Sequence, residues 1–328
     1  MKKSIIKRLF IKLAKILGYE IIDQCDFTSP TLQRELNEDL SIINEKSIIL
    51  PLGEVKITKK VSSVLIVFRT NTDVEIWDQN KKRLFEEPKI EYSLRALKSL
   101  IKSINFSKKK YSNIKFKIII VDDKSKEINL VKIKKLLNNS DLDIVITTLD
   151  HEKYKTTIKQ QKNDQTFSNL ASLQQSFELG KEHGEDLIFF VEDDYLHFEP
   201  MMEEMIASYE RIASQLNRDI FMCPADYPYL YMSNEKTNIL IGNKRHWRTI
   251  NQTLCTFMTT KTLLNKYWDN FYNTCLDRND PFEKYLNEIY LKEFCISPLK
   301  SLSLHLTNVN SSYGLSPFID YKKLWDEN

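Results

Sequence analysis

The sequence predicts an α/β fold, a Rossmann-like and mainly parallel sheet flanked by helices. Two observations carry this expectation. From residue 61 onward, short apolar runs of strand length alternate with longer segments whose apolar residues recur at helical spacing, the pattern of successive βα units. Several of those apolar runs also end abruptly in polar side chains, and open α/β sheets gather their ligand-binding groups at the carboxyl ends of strands.

Residues 1–19 precede this pattern and predict an amphipathic helix. Ile5, Ile6, Leu9, Phe10, Leu13, Ile16 and Leu17 recur at helical spacing opposite Lys2, Lys3, Lys7, Arg8, Lys12 and Lys15, and Gly18 supplies a stop. A basic amphipathic helix reads as an anchor for anionic lipid; the alternative is a helix packed on the domain with solvated lysines. Residues 20–60, broken by Pro30 and Pro51-Leu52-Gly53, read as an extension. The main domain then spans 61–306, a nucleotide-binding half over 61–200 and an acceptor half over 201–306. Within the first half, strands are expected at 61–68, 116–121, 142–147 and 187–191. The helices are expected near 92–104, 129–138, 169–183 and, after Pro200, 201–216. Residues 308–316, rich in Ser, Asn and Gly, read as a mobile loop able to close over a donor, and 307–328 complete the chain as loop and tail.

Composition narrows the function classes. Hydrophobic content of 42% and charged content of 28% belong to a globular protein. The net charge is +3, but six basic residues and no acid fall in 1–19, which leaves −3 for the rest. Nucleic acid is therefore not an expected partner. Five scattered cysteines without a C-x-x-C pair argue against a disulfide framework or a zinc site and suit a reducing, cytoplasmic compartment. No apolar run approaches the roughly 18 residues of a spanning helix. Contact at the inner face of the membrane would be peripheral.

The chemistry concentrates at three strand ends. The run Leu187–Val191 stops at Glu192-Asp193-Asp194, the second strand stops at Asp122-Asp123-Lys124-Ser125, and the first at Phe68-Arg69-Thr70-Asn71. Three consecutive carboxylates cannot sit inside a core, and clustered oxygen ligands suit Mg²⁺ or Mn²⁺. An acidic, solvated turn is the bland alternative. Neither a G-x-G-x-x-G fingerprint nor a P-loop follows the first strand.

Over about 61–306, this order resembles the GT-A fold glycosyltransferases. The V-D-D-x-S turn resembles that of family 2 enzymes. The F-V-E-D-D-Y segment resembles their D-x-D motif, in the E-D-D form of the N-acetylglucosaminyltransferase I-type enzymes. The resemblance implies a nucleoside-diphosphate sugar donor, with Asp122 or Asp123 on the base or ribose and Arg69 near the phosphates. It places Glu192 and Asp193 toward the donor, Asp194 on the metal, and Asn169 and Ser172 near the nucleotide. The alternatives are that Asp122 and Asp123 merely cap the turn and the following helix, that Arg69 is a surface ion-pair partner, and that Asn169 is structural.

In the acceptor half, Trp247 and Arg248 lie in a basic cluster, 244–248, that a diphosphate could use. Asp226 and Tyr227 are candidate acceptor contacts. An inverting transferase needs a carboxylate base, and the resemblance places it at a helix start in the window 277–288. Glu283 is the first candidate, Asp280 the second and Glu288 the third. Asp280 before Pro281, with Glu283 three residues on, also reads as a helix N-cap and capping box. His305 is either a satisfied core residue or, as the resemblance implies, a second metal ligand favouring Mn²⁺ over Mg²⁺. The acceptor would be a glycan or a lipid-linked glycan of a bacterial envelope. A sugar-phosphate nucleotidyltransferase, lacking here its glycine-rich loop, and a non-catalytic sugar-binding protein are the alternative readings.

Overall fold

A computed structural model of the chain describes residues 5–19, 21, 41–49, 53–74, 84–159, 164–232, 236–306, 315, 316 and 318–328. Most of the closing loop expected over 308–316, and much of the extension, lies outside them. In chain order the elements are α1 (Ile5–Ile16), β1 (Ser41–Ile42), β2 (Lys46–Ile49), β3 (Gly53–Lys56), β4 (Ser63–Thr70), α2 (Lys89–Lys110), β5 (Lys115–Asp122), α3 (Glu127–Leu137), β6 (Asp143–Thr148), α4 (His151–Tyr154), α5 (Asp164–His183), β7 (Leu187–Glu192), β8 (Tyr195–His197) and α6 (Met201–Leu216). There follow β9 (Phe221–Met222), a 3₁₀ turn (Pro228–Met232), β10 (Ile239–Ile241), β11 (His246–Thr249), β12 (Phe257–Thr260), α7 (Lys261–Lys266), α8 (Trp268–Leu276), α9 (Lys284–Tyr290), β13 (Cys295–Leu299), β14 (Ser303–His305) and α10 (Tyr321–Asp326).

The central sheet has nine strands in the order β10-β11-β13-β9-β12-β7-β4-β5-β6. Strands β7, β4, β5 and β6 run parallel, whereas β12 pairs antiparallel with β7. The sheet is thus mixed, with its parallel half where the sequence predicts it. Every residue of β4 is buried, as a strand covered on both faces requires. Helix α2 packs with α3 and α6, and α5 with α7 and α8, so two groups of helices flank the sheet. Strand order reverses between β4 and β7: β5 and β6 follow β4 on one side, and β7 takes the other. That reversal creates a crevice beyond the carboxyl ends of β4 and β7.

Helix α1 ends as its glycine predicts. Gly18 adopts φ +85°, the Tyr19 N–H donates to the Ala14 carbonyl at 2.8 Å and the Gly18 N–H to that of Lys15 at 3.1 Å. Ile5, Ile6, Leu9, Phe10, Leu13, Ile16 and Leu17 are all exposed, so the helix does not pack its apolar face on the domain. The extension holds a small antiparallel sheet, β1-β2-β3. Helix α6 secures this segment through buried Glu210, which accepts from the N–H groups of Asn44 (2.8 Å) and Val61 (2.7 Å), and Arg211, which donates to Ser47 Oγ. Helix α2 runs on to Lys110, past the expected 104, and α5 begins at Asp164, before the expected 169; a third boundary bears on a candidate residue. Helix α9 begins at Lys284, not at Pro281, so Asp280 caps nothing and no capping box forms.

Candidate active site

Parallel register sets the first layer of the site. Arg69 at the end of β4 stands beside Glu192 at the end of β7, and Thr70 beside Asp122 at the end of β5. The Arg69 guanidinium is buried and fixed from two sides. One nitrogen ion-pairs with Glu192, while the other donates to Asn169 Oδ1 (3.0 Å), the Asn169 carbonyl (3.3 Å) and Ser172 Oγ (3.1 Å). Four residues named from the sequence thus meet in one cluster that locks α5 to the strand ends.

The three consecutive carboxylates divide at a turn: Glu192 closes β7, and Asp193 and Asp194 form the turn that leads into β8. Glu192 and Asp194 face the crevice with His305, and ligand atoms of the three lie within 4.8 Å of one another. Asp193 turns the other way. It is buried and accepts from Thr70 Oγ1 (2.8 Å), Ser93 Oγ (2.6 Å) and the Asn71 N–H (3.3 Å), and it ion-pairs with Lys89 Nζ at 2.5 Å. The expectation that Asp193 faces the donor is therefore corrected: it pins the start of α2 to the end of the sheet.

Two carboxylates and an imidazole fit a divalent cation. Among the described residues this is the only group of three such side chains. His305 presents Nε2 to Asp194 Oδ2 at 3.3 Å, and its Nδ1 is buried without a hydrogen-bond partner. The donor set of two oxygens and one nitrogen suits Mn²⁺ somewhat better than Mg²⁺. The grouping brings like charges together. Burial pushes the Glu192 pKa up, Asp194 and Asp193 push it further, and Arg69 and His305 oppose the rise. Burial works to lower the His305 pKa, but Asp194, by charge and hydrogen bond, and Glu192 more than offset it, so the pKa is raised. A cation would take over that compensating charge.

Beside this group lies the Asp122-Asp123 turn. Asp122 accepts from the Ser125 N–H at 3.3 Å, while its other oxygen is buried without a partner. Burial raises its pKa; Ser125 opposes, and Asp123 and Asp193 add to the rise. Asp123 accepts from Asn71 Nδ2 (3.1 Å) and meets His151 Nε2 at 2.6 Å. His151 starts α4, and no local motif in the sequence marks it. Lys89 was equally invisible, and Tyr195 was signalled only by following the E-D-D run. Tyr195 stacks on His305 with centroids 4.4 Å apart and planes 5° from parallel.

Five further expectations change. Trp247 is fully buried, its indole against Gly242, and cannot face a donor. Arg248 and Asp226, expected on donor and acceptor respectively, pair with each other at 2.8 Å, both buried, with Tyr231 over the guanidinium and donating to Asp226 Oδ2 at 2.6 Å. Tyr227 is buried, its hydroxyl bonded to that of Tyr195, so it backs the site instead of lining the acceptor side. Glu283 is buried and accepts four hydrogen bonds: Thr253 N–H (3.1 Å), Thr253 Oγ1 (2.7 Å), Leu254 N–H (2.7 Å) and Cys255 N–H (2.6 Å). A carboxylate so engaged has no lone pair left for an acceptor proton. Asp280 is exposed in the loop before α9, and Glu288 touches Asn270 at 3.4 Å.

No family model matches the sequence, and no curated protein matches it. Among solved structures the chain is similar to S. aureus TarS 1-349, with 13% identity and a TM-score of 0.42 over 72% of this chain and 57% of that one. It is also similar to the galactosyltransferase LgtC in complex with donor and acceptor sugar analogs (10% identity, TM-score 0.35, 69% of this chain and 70% of that chain). A third likeness is to UDP-glucose pyrophosphorylase complexed with UDP-glucose (8% identity, TM-score 0.39, 81% and 98%). The chain thus spans little more than half the length of TarS 1-349. At these scores the likenesses add nothing to the sheet order and strand ends as grounds for an activity.

Proposed function

We propose that the chain is a metal-dependent GT-A glycosyltransferase that moves a sugar from a nucleoside-diphosphate sugar to an acceptor hydroxyl, with inversion. The observation that carries this reading is the meeting of Glu192, Asp194 and His305 with the Asp122-Asp123 turn at the switch point of the sheet. Glu192, Asp194 and His305 would hold Mn²⁺ or Mg²⁺, which when bound offsets the charge of a departing diphosphate. Arg69 holds Glu192 in place. Asp122 turns a buried, unpartnered oxygen to the base or ribose, and Asp123 is oriented by Asn71 and His151. Asp280 is the base of this reading, because it is the exposed carboxylate of the three candidates.

The acceptor side is assigned to a glycan or lipid-linked glycan of a bacterial envelope, met at the inner face of the membrane. The exposed apolar face of α1 supports that assignment; no described helix is long and apolar enough to cross a membrane. Calorimetric titration with UDP and GDP, with and without Mn²⁺, tests the reading. Binding of one diphosphate that requires Mn²⁺, and is lost in Asp194→Ala, is expected. Absence of binding for both would overturn it. A screen of nucleotide sugars for Mn²⁺-stimulated hydrolysis then names the donor.

A further inference from the structure

The His305 strand is too short to hold itself. Strands β8 and β14 pair over three residues, with His305 opposite Tyr195 and Leu304 opposite Leu196. An isolated two-strand ribbon of this length is marginal in water, so its position is set by what covers it. Tyr195 and His305 stack on the crevice face. Leu196, Leu304 and Leu306 lie on the other face, in an apolar cluster separate from the main core, with Tyr92, Leu324 and Trp325. The Leu306 N–H also donates to the Asp194 carbonyl at 2.8 Å, which ties the strand to the carboxylate turn.

We propose that α10 is the positioning element of the metal-ligating imidazole, with Trp325 as its central positioning residue. The inference rests on the metal reading above. Trp325 is clamped on three sides: it stacks on Phe85 (4.1 Å, 18°), meets the Tyr92 ring edge-on at 4.8 Å, and lies 4.5 Å beneath the Arg95 guanidinium. Helix α2 fixes the same segment through its backbone. Arg95, Lys98 and Lys102, on one face of α2, donate to the carbonyls of Trp325 (2.9 Å), Asn328 (2.8 Å) and Glu327. These cations meet the carbonyl end of α10, where positive charge is favoured. Helix α2 therefore holds both sides of the centre: its first residue, Lys89, holds Asp193, and its middle holds the helix behind His305.

A ligand must stay within a fraction of an ångström of its productive position, and loss of a supporting residue typically costs 10–100-fold in metal affinity. The test is Mn²⁺ affinity of the full chain by calorimetry, without any substrate. Trp325→Ala is expected to weaken Mn²⁺ about tenfold, and Trp325→Phe to restore most of it, because a planar ring again fills the cluster. In a His305→Ala background, Trp325→Ala should have no further effect, since it acts through that imidazole. Arg95→Gln, which leaves the apolar cluster intact, should weaken Mn²⁺ a few-fold and decides the matter if Trp325→Ala does not fold. Wild-type affinity in the folded variants, or an equal loss with and without His305, would overturn the inference alone. Failure of the wild-type chain to bind Mn²⁺ would overturn the metal reading, and this inference with it.

Discussion

At the scale of single residues, Glu283 separates a structural from a chemical role. Leu254 and Cys255 take φ of +52° and +59°, a left-handed conformation that non-glycine residues adopt only when their surroundings impose it. The Glu283 carboxylate imposes it here by receiving both of their N–H groups. Replacing Glu283 with Gln turns an amide donor toward those donors. Glu283→Gln is expected to lower stability by about 2–4 kcal/mol, read as a fall in the denaturant midpoint. Unchanged stability with lost transfer activity would return Glu283 to the role of base. Buried His197 gives a second residue-scale prediction. Its Nδ1 meets Ser303 Oγ at 2.7 Å, its Nε2 has no partner, and burial lowers its pKa from the usual 6.5 to about 3. Below pH 6.5 the unfolded chain takes up a proton that the native chain refuses. Stability is therefore lost as pH falls from about 6.5 toward 3, by about 2–3 kcal/mol at pH 4.5. Denaturant titrations between pH 4.5 and 7 should show a shallower pH slope in His197→Gln than in wild type; equal slopes would remove the claim.

At the scale of elements, the legible and illegible parts of the chain divide by strand length and by distance in sequence. Strands β4, β5 and β7 are readable because burial on both faces gives these six- to eight-residue strands unbroken apolar runs of four or five residues. The second half of the sheet is built from β9 to β13, each two to five residues long, whose pairing is decided by remote partners. That is why Trp247, within the basic cluster 244–248, reads as a donor contact although β11 buries both it and Arg248. Residues at strand ends were legible as a site, but which way each one points was not. Asp193 is the example: it reads with its neighbours along the sequence, while the turn between β7 and β8 directs it to Ser93 and Lys89 of α2. Removing its carboxylate strands Lys89 and leaves three hydrogen bonds without an acceptor. Asp193→Ala should cost about 3–5 kcal/mol of stability, and Lys89→Met in the same chain should recover part of that loss. A loss below about 1 kcal/mol in the urea midpoint would mean that this pair does not hold α2 to the sheet.

For the whole molecule, the distribution of charge and apolar surface makes one prediction that neither the core nor the site contains. Six basic residues lie in the first 19, and the rest of the chain is net negative. Seven apolar side chains of the same segment are solvent-exposed, although helix and Schellman stop are both formed. An ordered amphipathic helix with its apolar face in water carries an unfavourable surface energy of about 25 cal/mol for each Å² that a membrane could cover. Its lysines would add about 1 kcal/mol each near an anionic surface, less at high salt. The chain should therefore bind vesicles containing anionic lipid, more weakly as ionic strength rises, and scarcely bind purely zwitterionic ones. Deleting residues 1–19 should abolish that binding while leaving Mn²⁺-dependent binding of a nucleoside diphosphate unchanged, because every residue of the site lies after residue 60. Co-sedimentation across a salt series measures the first, calorimetry the second. Undiminished vesicle binding after the deletion would assign the lipid contact to another surface, and no binding by the full chain would remove it.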